Sequence, residues 1–374
     1  MIISWSEDLL TVRDATDDDN EALVALTAAC TMHGDIALRM DRAPDFFTLN
    51  RLEGDSSRVG VVADDDGRIV GCVAASRRLA YVNGRTTVVG YASDLKVHPD
   101  ARGSGAADLL SAYVRDATSL LCGEDAPVIC TVLAGNRAME HRARGPRGTP
   151  ILSRFATLSV MAIPLLWERS ERSARWLRVR SAGETDVEQM AEVWGRVAVG
   201  RQFAGTLDPS ALREWTQTAP GLDLHDYLLA LDPGGHIRGF LGVWDQTSFK
   251  QMRVVGYSRR LRWATRGINM LARFSGAPPL PEPGGALPAL ATVHVCASDP
   301  VVLRTLLLEA YRRHRGGRFS FITVGLDVRD PLLSSTRALL GQPTYVNAYV
   351  TTPGGPAEPA TYTGRPLHLE TALV

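Results

Sequence analysis

The sequence predicts an α/β protein of two tandem domains, each built around a mixed sheet with flanking helices. Three observations lead to this prediction. The chain has 374 residues, which is long for one domain and sufficient for two. Residues 88–110 join an apolar strand, a His-Pro turn, a glycine-containing loop and an apolar-periodic helix. Short motifs of the first half recur in the second half at nearly constant spacing.

Composition excludes several classes of protein. Hydrophobic residues make up 45% of the chain, enough for packed cores, yet no apolar run approaches the roughly 18 residues of a membrane span. The formal net charge is zero, so there is no global attraction to nucleic acid. The first ten residues carry acidic side chains where a signal peptide has a basic flank. We therefore expect a cytoplasmic protein with no membrane partner.

Cysteine and lysine usage add two expectations. The five cysteines are widely spaced, odd in number and free of Cys-x-x-Cys pairs, which favours reduced thiols over a disulfide framework or a metal site. Lys96 and Lys250 are the only lysines, and arginine supplies the rest of the positive charge. We interpret this arginine bias as the coding preference of a high-GC bacterium.

The first half predicts alternating strands and helices. A capped helix follows the first strand, and an Asp-Gly turn joins two apolar runs into a hairpin. A short apolar run after the long helix predicts a strand parallel to the central one. The expected strands are 12–16, 58–63, 68–75, 79–85, 88–97, 127–133 and 151–163, and the expected helices are 20–29 and the run that begins near 106.

The loop after the central strand carries the strongest functional signal. Small residues at positions 103–107 would let a phosphate approach the start of a helix, where free N–H groups and the helix dipole attract anions. The loop lacks the lysine of a Walker motif, and its glycines do not have the spacing of the dinucleotide fingerprint. The pattern present is Arg-x-x-Gly-x-Ala, formed by Arg102, Gly105 and Ala107.

This motif, placed between a strand and a helix, resembles the pyrophosphate loop of the GNAT superfamily of acyl-CoA-dependent N-acyltransferases, Gln/Arg-x-x-Gly-x-Gly/Ala. The resemblance is tight over residues 88–140 and looser over 12–163. It implies two GNAT-like domains, each a mostly antiparallel twisted sheet with a central parallel pair. It further implies transfer of an acyl group, most simply acetyl, from a CoA thioester to an amine of a small metabolite in a ternary complex.

The resemblance also assigns the acyl-CoA site residue by residue. The backbone of the central strand pairs with the pantetheine arm, the loop binds the pyrophosphate, and an asparagine after the next strand contacts the pantetheine. The matching positions here are Leu95, Lys96, Val97, Arg102, Gly103, Ser104, Gly105, Ala106, Ala107 and Asn136.

Catalytic roles are less clearly marked. The backbone N–H of Leu95 could polarise the thioester carbonyl, and Asp94 could attract the acceptor ammonium and relay its proton, or simply cap the end of a strand. The superfamily usually has a tyrosine that protonates the leaving thiolate, and residues 137–145 contain none. His141 or Glu140 could replace it, although a histidine on a basic helix is more often a solvated surface residue.

The second half repeats the first in a degenerate form. Residues 179–182 (VRSA) repeat 12–15 (VRDA), and the hairpin at 227–243 repeats that at 58–75. The central strand corresponds either to residues 254–257 or to 291–296. On neither alignment does a pyrophosphate loop follow, and Asp299 would repel phosphate, so we expect no donor site here. The predicted units are 1–165, an Arg-rich linker 166–178, a second domain 179–352, and an arm or tail 353–374.

Two alternatives stay open. An Arg-rich rim, formed by Arg142, Arg144, Arg147, Arg154 and the linker, could receive the CoA 3′-phosphate, an acyl carrier protein or a tRNA, or be a solvated surface. The donor could then be a carrier-protein thioester or an aminoacyl-tRNA, as in some natural-product pathways. The missing tyrosine instead motivates a non-catalytic acyl-CoA-binding protein. The sequence does not name the acceptor or decide between a monomer and a homodimer.

Overall fold

A computed structural model describes residues 10–374 except 33, 35, 146–150, 167, 169–173 and 276–277. The first half contains β1 (Thr11–Asp14), α1 (Asn20–Ala29), β2 (Thr31–Met32), β3 (Ile36–Asp41), α2 (Phe47–Leu52), β4 (Ser56–Ala63), β5 (Ile69–Val82), β6 (Arg85–Val97), α3 (Ala106–Cys122), β7 (Val128–Leu133), α4 (Arg137–Arg144) and β8 (Ser153–Pro164).

The second half contains β9 (Arg178–Ser181), α5 (Val187–Ala198), β10 (Ala204–Gly205), α6 (Pro209–Thr218), β11 (Tyr227–Leu231), β12 (Ile237–Asp245), β13 (Gln251–Tyr257), α7 (Arg259–Ser275), β14 (Ala289–Ala297), α8 (Pro300–His314), β15 (Phe321–Asp327) and β16 (Gln342–Thr351). Between β15 and β16, Pro331–Leu339 forms a 3₁₀ helix. Helices α6 and α7 were not predicted from the sequence.

One sheet of 13 strands runs through the molecule in the order β1-β4-β5-β6-β7-β16-β8-β15-β14-β12-β11-β9, with β10 beside β5. Two neighbouring pairs of strands in this sheet, β6–β7 and β14–β15, are parallel, and the others described are antiparallel. The predicted fold class, a mostly antiparallel sheet with a central parallel pair in each half, is confirmed.

The two halves exchange their last strands. Strand β16 lies between β7 and β8, so the end of the second half sits beside the parallel pair of the first. Strand β8 lies between β15 and β16, beside the parallel pair of the second half. A single core cluster therefore contains Ile129 and Leu158 together with Val346 and Val350. If the chain divides near residues 165 and 179, as we propose, each unit is completed by a strand of the other.

The repeat is visible in atomic contacts. Arg13 donates two hydrogen bonds to the carboxylate of Asp19, at 2.7 and 2.8 Å. Arg180 donates two to the carboxylate of Asp186, both at 2.7 Å. Each carboxylate also accepts a bond from the backbone N–H three residues before it, at 2.8 and 2.9 Å. The bond from Arg13 lowers the pKa of Asp19 to about 2. Each ion pair lies directly before the first long helix of its half, α1 or α5.

The structure decides between the two alignments of the central strand. Strand β14 occupies the position of β6, each being the first member of a parallel pair. Asp94 and His294 have φ angles of 54° and 49°, the same left-handed backbone at equivalent points. The alignment of residues 254–257 with the central strand is wrong, since β13 belongs to a separate sheet with β3 and β2.

Helices cover both faces of the first half's strands. Residues of α1 and the segment before α2 pack on one face, where Leu23 and Phe46 meet Cys72 and Ala74 of β5. Helix α3 covers the other face, where Leu110 meets Val73. Side chains alternate between faces along a strand, so position in β5 or β6 tells which layer a residue faces.

The C-terminal segment is an ordered arm. Leu367 and Leu373 are 1% and 6% exposed, and Leu367 donates its N–H to Asp327 Oδ2 at 2.8 Å. All five cysteines are free thiols. No described helix is long and apolar enough to cross a membrane, and no three His, Cys, Asp or Glu side chains of the described part are grouped to hold a metal ion.

The strand exchange predicts that the first half is not stable alone. Without β16, strands β7 and β8 lose their shared partner and expose two edges. A fragment of residues 1–178 should show no cooperative unfolding transition by circular dichroism, and addition of a 179–374 fragment should restore one. A 179–341 fragment, which lacks β16, is the control and should not restore it. Cooperative unfolding of 1–178 by itself would contradict this interpretation.

Candidate functional site

Strands β6 and β7 separate part-way along their length. They pair over Gly90–Val128, Tyr91–Ile129 and Ala92–Cys130. Beyond this point β6 continues to Val97 and β7 to Leu133, without further pairing between the two. The opposite edge of β6 stays bonded to β5 as far as Val97. One edge of residues 95–97 therefore faces an opening, where an extended ligand can bond to the backbone as an additional strand.

A β-bulge marks the start of this opening. Ser93 pairs with Ala74 and Lys96 with Cys72, so Asp94 and Leu95 together oppose the single residue between those partners. The φ of Asp94, 54°, is uncommon for a residue other than glycine. Such backbone is often found at functional sites, where surrounding contacts hold it in place. The bulge leaves backbone groups of Asp94 and Leu95 outside the regular hydrogen-bond pattern between β5 and β6.

The glycine-containing loop follows directly after β6. Gly103 and Gly105 have φ angles of 88° and 91°, and a Cβ at either would meet no atom within 4 Å. Gly105 is the N-cap of α3 and offers no side chain to its first turn. Within the described part of the chain, no group accepts a hydrogen bond from the N–H of either glycine. The start of α3 thus presents free donors on an open surface, which suits an anion.

Asp94 is held by three side chains. Its Oδ2 forms an ion pair with Arg42 and accepts a 3.1 Å hydrogen bond from Asn50 Nδ2, while its Oδ1 pairs with Lys96. Burial by itself would raise the pKa of Asp94, but Lys96 and Arg42 hold this pKa well below its usual range. The carboxylate is therefore ionised and has little affinity for a proton.

Arg42 connects Asp94 to the second half of the chain. Its side chain is 1% exposed, bonds to Asn50 Oδ1 at 3.1 Å, and lies 4.2 Å above the centre of the Phe46 ring. It follows β3 directly, and β3 pairs with β13 of the second half. Asp41 and Arg253 form an ion pair of 2.9 Å across these two strands. The second half therefore fixes the segment that covers the bulge.

Two further ionisable groups lie near the bulge. Glu53 is 3% exposed and accepts a 2.8 Å hydrogen bond from Ser93 Oγ, and burial followed by the charge of Asp94 raises its pKa. Burial, and then the charge of Arg42, lowers the pKa of Lys250 to about 7. Lys250 Nζ donates to the carbonyl oxygens of residues 372 and 374 at 2.9 Å.

The corresponding opening in the second half is filled. The N–H of His294, at the equivalent bulge, donates to Glu370 Oε2 at 2.9 Å. Against the effect of burial, His294 and His368 lower the pKa of Glu370 to about 2. Asp299 Oδ1 caps α8 by accepting from the N–H groups of Val301 and Val302 at 2.9 and 3.1 Å. At both places, therefore, a carboxylate of the chain itself accepts from the backbone N–H groups.

The sequence-predicted residues fall into two groups. Asp94, Leu95, Lys96 and Val97 lie along the opening, and residues 102–107 form the loop and the start of α3 at its end. On the α4 side, Asn136 Oδ1 caps the helix by accepting from Met139 N at 3.2 Å, and His141 is exposed. No hydrogen bond between described residues joins His141 to the groups at the bulge.

The Arg-rich rim is only partly described. Arg142 is paired with Asp108 in the first turn of α3 and bonds to Ser111 Oγ at 3.2 Å. Arg154 bonds to Thr157 Oγ1 at 2.7 Å. Arg147 and residues 167 and 169–173 of the linker lie outside the described residues. The rim as a binding surface stays a prediction.

Sequence reasoning missed Arg42, Asn50, Glu53 and Lys250. The first three lie at or contact the bulge network from positions distant in the chain, and Lys250 lies near it. One signal was present. In a chain whose positive charge is almost all arginine, the two lysines are Lys96 and Lys250. Both lie near Asp94, since Lys96 pairs with it and its charge acts on the pKa of Lys250.

Loss of the Asp94 charge should destabilise the fold. In Asp94→Asn, Arg42 and Lys96 stay buried without a counter-charge, which costs about 3 kcal/mol of unfolding free energy for a buried pair. Denaturant unfolding measures this change. Asp100→Asn is the control, since its side chain is 75% exposed, and should change stability by less than about 0.5 kcal/mol. Equal effects of the two substitutions would contradict a buried ion-pair network.

Glu53 should make stability depend on pH. Its raised pKa keeps the folded protein protonated at pH values where the unfolded chain has lost the proton, so unfolding becomes easier as pH rises through that interval. Glu53→Gln removes this proton but can still accept from Ser93. The variant should gain stability relative to the wild type on going from pH 5 to pH 8, measured by denaturant unfolding. The exposed Glu214→Gln should show no such gain, and an unchanged slope in Glu53→Gln would refute this assignment.

Comparison with known proteins defines the fold. No family model matches the chain, and no curated protein matches it significantly. Solved structures do match. N-myristoyltransferase of Saccharomyces cerevisiae, solved with bound myristoyl-CoA, has a TM-score of 0.62 at 11% identity, over 93% of this chain and 83% of that one.

Two bacterial structures also match. A GCN5-related N-acetyltransferase of Sphaerobacter thermophilus has a TM-score of 0.53 at 18% identity, over 92% of this chain and 96% of that one. One of Kribbella flavida has a TM-score of 0.51 at 15% identity, over 92% and 71%. The predicted likeness in fold is confirmed: this chain shares the architecture of GCN5-related N-acetyltransferases and N-myristoyltransferase.

Proposed function

We propose that the chain is an acyltransferase that moves an acyl group, most simply acetyl, from a CoA thioester to an amine of a small metabolite by direct attack in a ternary complex. The observation that carries the proposal is the opening between β6 and β7, which begins at a bulge and ends at an uncapped, glycine-containing helix start. The fold neighbours support it, and one of them was solved with myristoyl-CoA.

The opening has the features that an acyl-CoA requires. The free edge of Leu95, Lys96 and Val97 would bond to the amide groups of pantetheine as a neighbouring strand would. The open N–H groups of Gly103 and Gly105 and the exposed Arg102 would hold the pyrophosphate. Asn136 lies where β7 ends, on the other side of the opening, and would contact the pantetheine arm. CoA supplies the thioester, and the chain supplies its binding and orientation.

The chemistry needs a neutral amine and a polarised carbonyl. The amine nitrogen forms a bond to the thioester carbon as the carbon–sulfur bond breaks, and the thiolate then takes a proton. The backbone N–H of Leu95, at the bulge, is our candidate for binding the carbonyl oxygen. Asp94 would attract the acceptor ammonium.

Proton transfer requires one group that takes a proton from the amine and another that gives a proton to the thiolate. Because Lys96 and Arg42 keep Asp94 ionised, it is a weak proton acceptor. Lys250, with a pKa of about 7, lies closer to the range of an effective base. For the proton on the thiolate we retain His141 or Glu140. Glu140 Oε1 already accepts from the N–H of Gly135 at 3.0 Å, whereas His141 is exposed.

No contact among the described residues specifically favours a carrier-protein or aminoacyl-tRNA donor, or a non-catalytic acyl-CoA-binding protein. These alternatives stay predictions from the sequence.

Calorimetric titration tests the donor site directly. We expect CoA and acetyl-CoA to bind the wild type with micromolar affinity, and Gly105→Glu to abolish binding, because a carboxylate at the start of α3 repels phosphate and φ is +91° there. Gly235→Glu is the matched control. Gly235 also has positive φ and open surroundings, but lies in a second-half hairpin turn, so binding should be unchanged.

Two results would count against the proposal. A wild type that binds neither CoA nor acetyl-CoA would exclude an acyl-CoA donor. Binding that survives in Gly105→Glu and is lost in Gly235→Glu would move the donor site away from α3.

A further inference from the structure

We propose that the acceptor amine carries a carboxylate, which Arg78 and Ser76 of β5 bind on the sheet face that also contains Ser93. This inference rests on the proposed acyl transfer and names the class of acceptor: a zwitterionic amine such as an amino acid of extended length or a short peptide. It assigns a binding site to residues that neither the donor site nor the Asp94 network uses.

The first argument is that these side chains are unsatisfied. Ser76 is fully buried, and its Oγ has no hydrogen-bond partner among the described residues. The same is true of the buried Nε and Nη2 of Arg78 in that part of the structure. An unpaired buried polar group is unfavourable, and a charged one more so. A guanidinium and a hydroxyl two residues apart on one strand are donors suited to a carboxylate.

The second argument is location. Directly paired residues of two antiparallel strands lie on the same face of the sheet. Three such pairs of β5 and β6 lie in a row on this face: Arg78–Val89, Ser76–Tyr91 and Ala74–Ser93. Ala74 packs with α1, so this is the face opposite α3. Glu53 reaches Ser93 on the same face. The unsatisfied donors therefore lie on the same face of the sheet as Ser93, next to the bulge.

The third argument is distance. The guanidinium carbon of Arg78 lies 5.8 Å from the centre of the Tyr91 ring. Tyr91 is two residues before Ser93, and two residues of a strand span about 7 Å. An amine at the bulge and a carboxylate at Arg78 would therefore be separated by roughly 7–10 Å, which is the span of a small amino-acid derivative.

The fourth argument is charge. The carboxyl groups that act on Arg78 are those of Glu370 and Glu53. Both are engaged elsewhere: Glu370 with the N–H of His294 at 2.9 Å and with His368 at 3.0 Å, and Glu53 with Ser93 at 2.8 Å. Asp94 is already balanced by Arg42 and Lys96. An anionic ligand would give Arg78 a bonded counter-charge, and a polycationic amine would be repelled.

The experiment uses a matched series of acceptors on the full chain. We would measure thermal stabilisation of the CoA-saturated protein, and acetyl transfer from acetyl-CoA, with ω-amino acids of four to eight carbons and with their uncharged amides. The wild type should prefer the carboxylate at the best chain length at least tenfold in kcat/KM. Arg78→Met should reduce that preference to near unity through KM, leave acetyl-CoA affinity unchanged, and abolish the stabilisation. Arg78→Lys should retain part of the preference.

Arg77→Met is the control, because Arg77 points to the opposite face of β5 and pairs with Asp55. It should keep the carboxylate preference. Equal use of acids and amides by the wild type would overturn the inference, as would absence of stabilisation by every carboxylate. A preference that Arg78→Met leaves intact, with only stability reduced, would show a structural role and overturn it too. Failure of acetyl-CoA to bind at all would instead reject the proposed function, so the two failures are distinguishable.

Discussion

The exchange of β8 and β16 between the halves is the constraint on which the rest of the molecule depends. Because β16 pairs with β7 and β8 at once, neither half can complete its sheet alone. The same connection brings residues after β16 back across the centre of the molecule, where residues 372 and 374 accept hydrogen bonds from Lys250. The charges of Asp94 and Glu53 act on Lys250, so a side chain of the second half lies near this first-half cluster.

A similar β-bulge occurs in both halves, but its surroundings differ between them. Asp94 and His294 share a left-handed backbone at the point where a parallel pair separates. In the first half the edge beyond it is open, whereas in the second half Glu370 of the arm is bonded to it. Asp299 likewise occupies the helix start that Gly105 leaves free. In the second half, the carboxylates of Glu370 and Asp299 therefore accept hydrogen bonds from backbone N–H groups at these two places.

Sequence reasoning found what is encoded locally. The β-branched run of β6, the two glycines with positive φ and the helix after them are adjacent in the chain, so their pattern predicts the strand and the helix that the structure contains. The anion site between them stays a prediction. The strand exchange was not predictable, because the sequence of an apolar strand such as β16 does not indicate which strands it pairs with. Arg42 and Glu53 were missed for the same reason: their ion pair and hydrogen bond with the bulge span about 40 to 52 residues of sequence.

Arg78 shows why the polar residues of such a site need structural evidence. In the sequence it is one of two neighbouring arginines on a strand, and Arg77 would have seemed equally suitable. Alternation of side chains places Arg77 with Asp55 on one face and Arg78 against Tyr91 on the other. Of the two, Arg78 has buried nitrogens that the described structure leaves unbonded. These two nitrogens are the basis for proposing Arg78, and not Arg77, as the residue that binds a carboxylate.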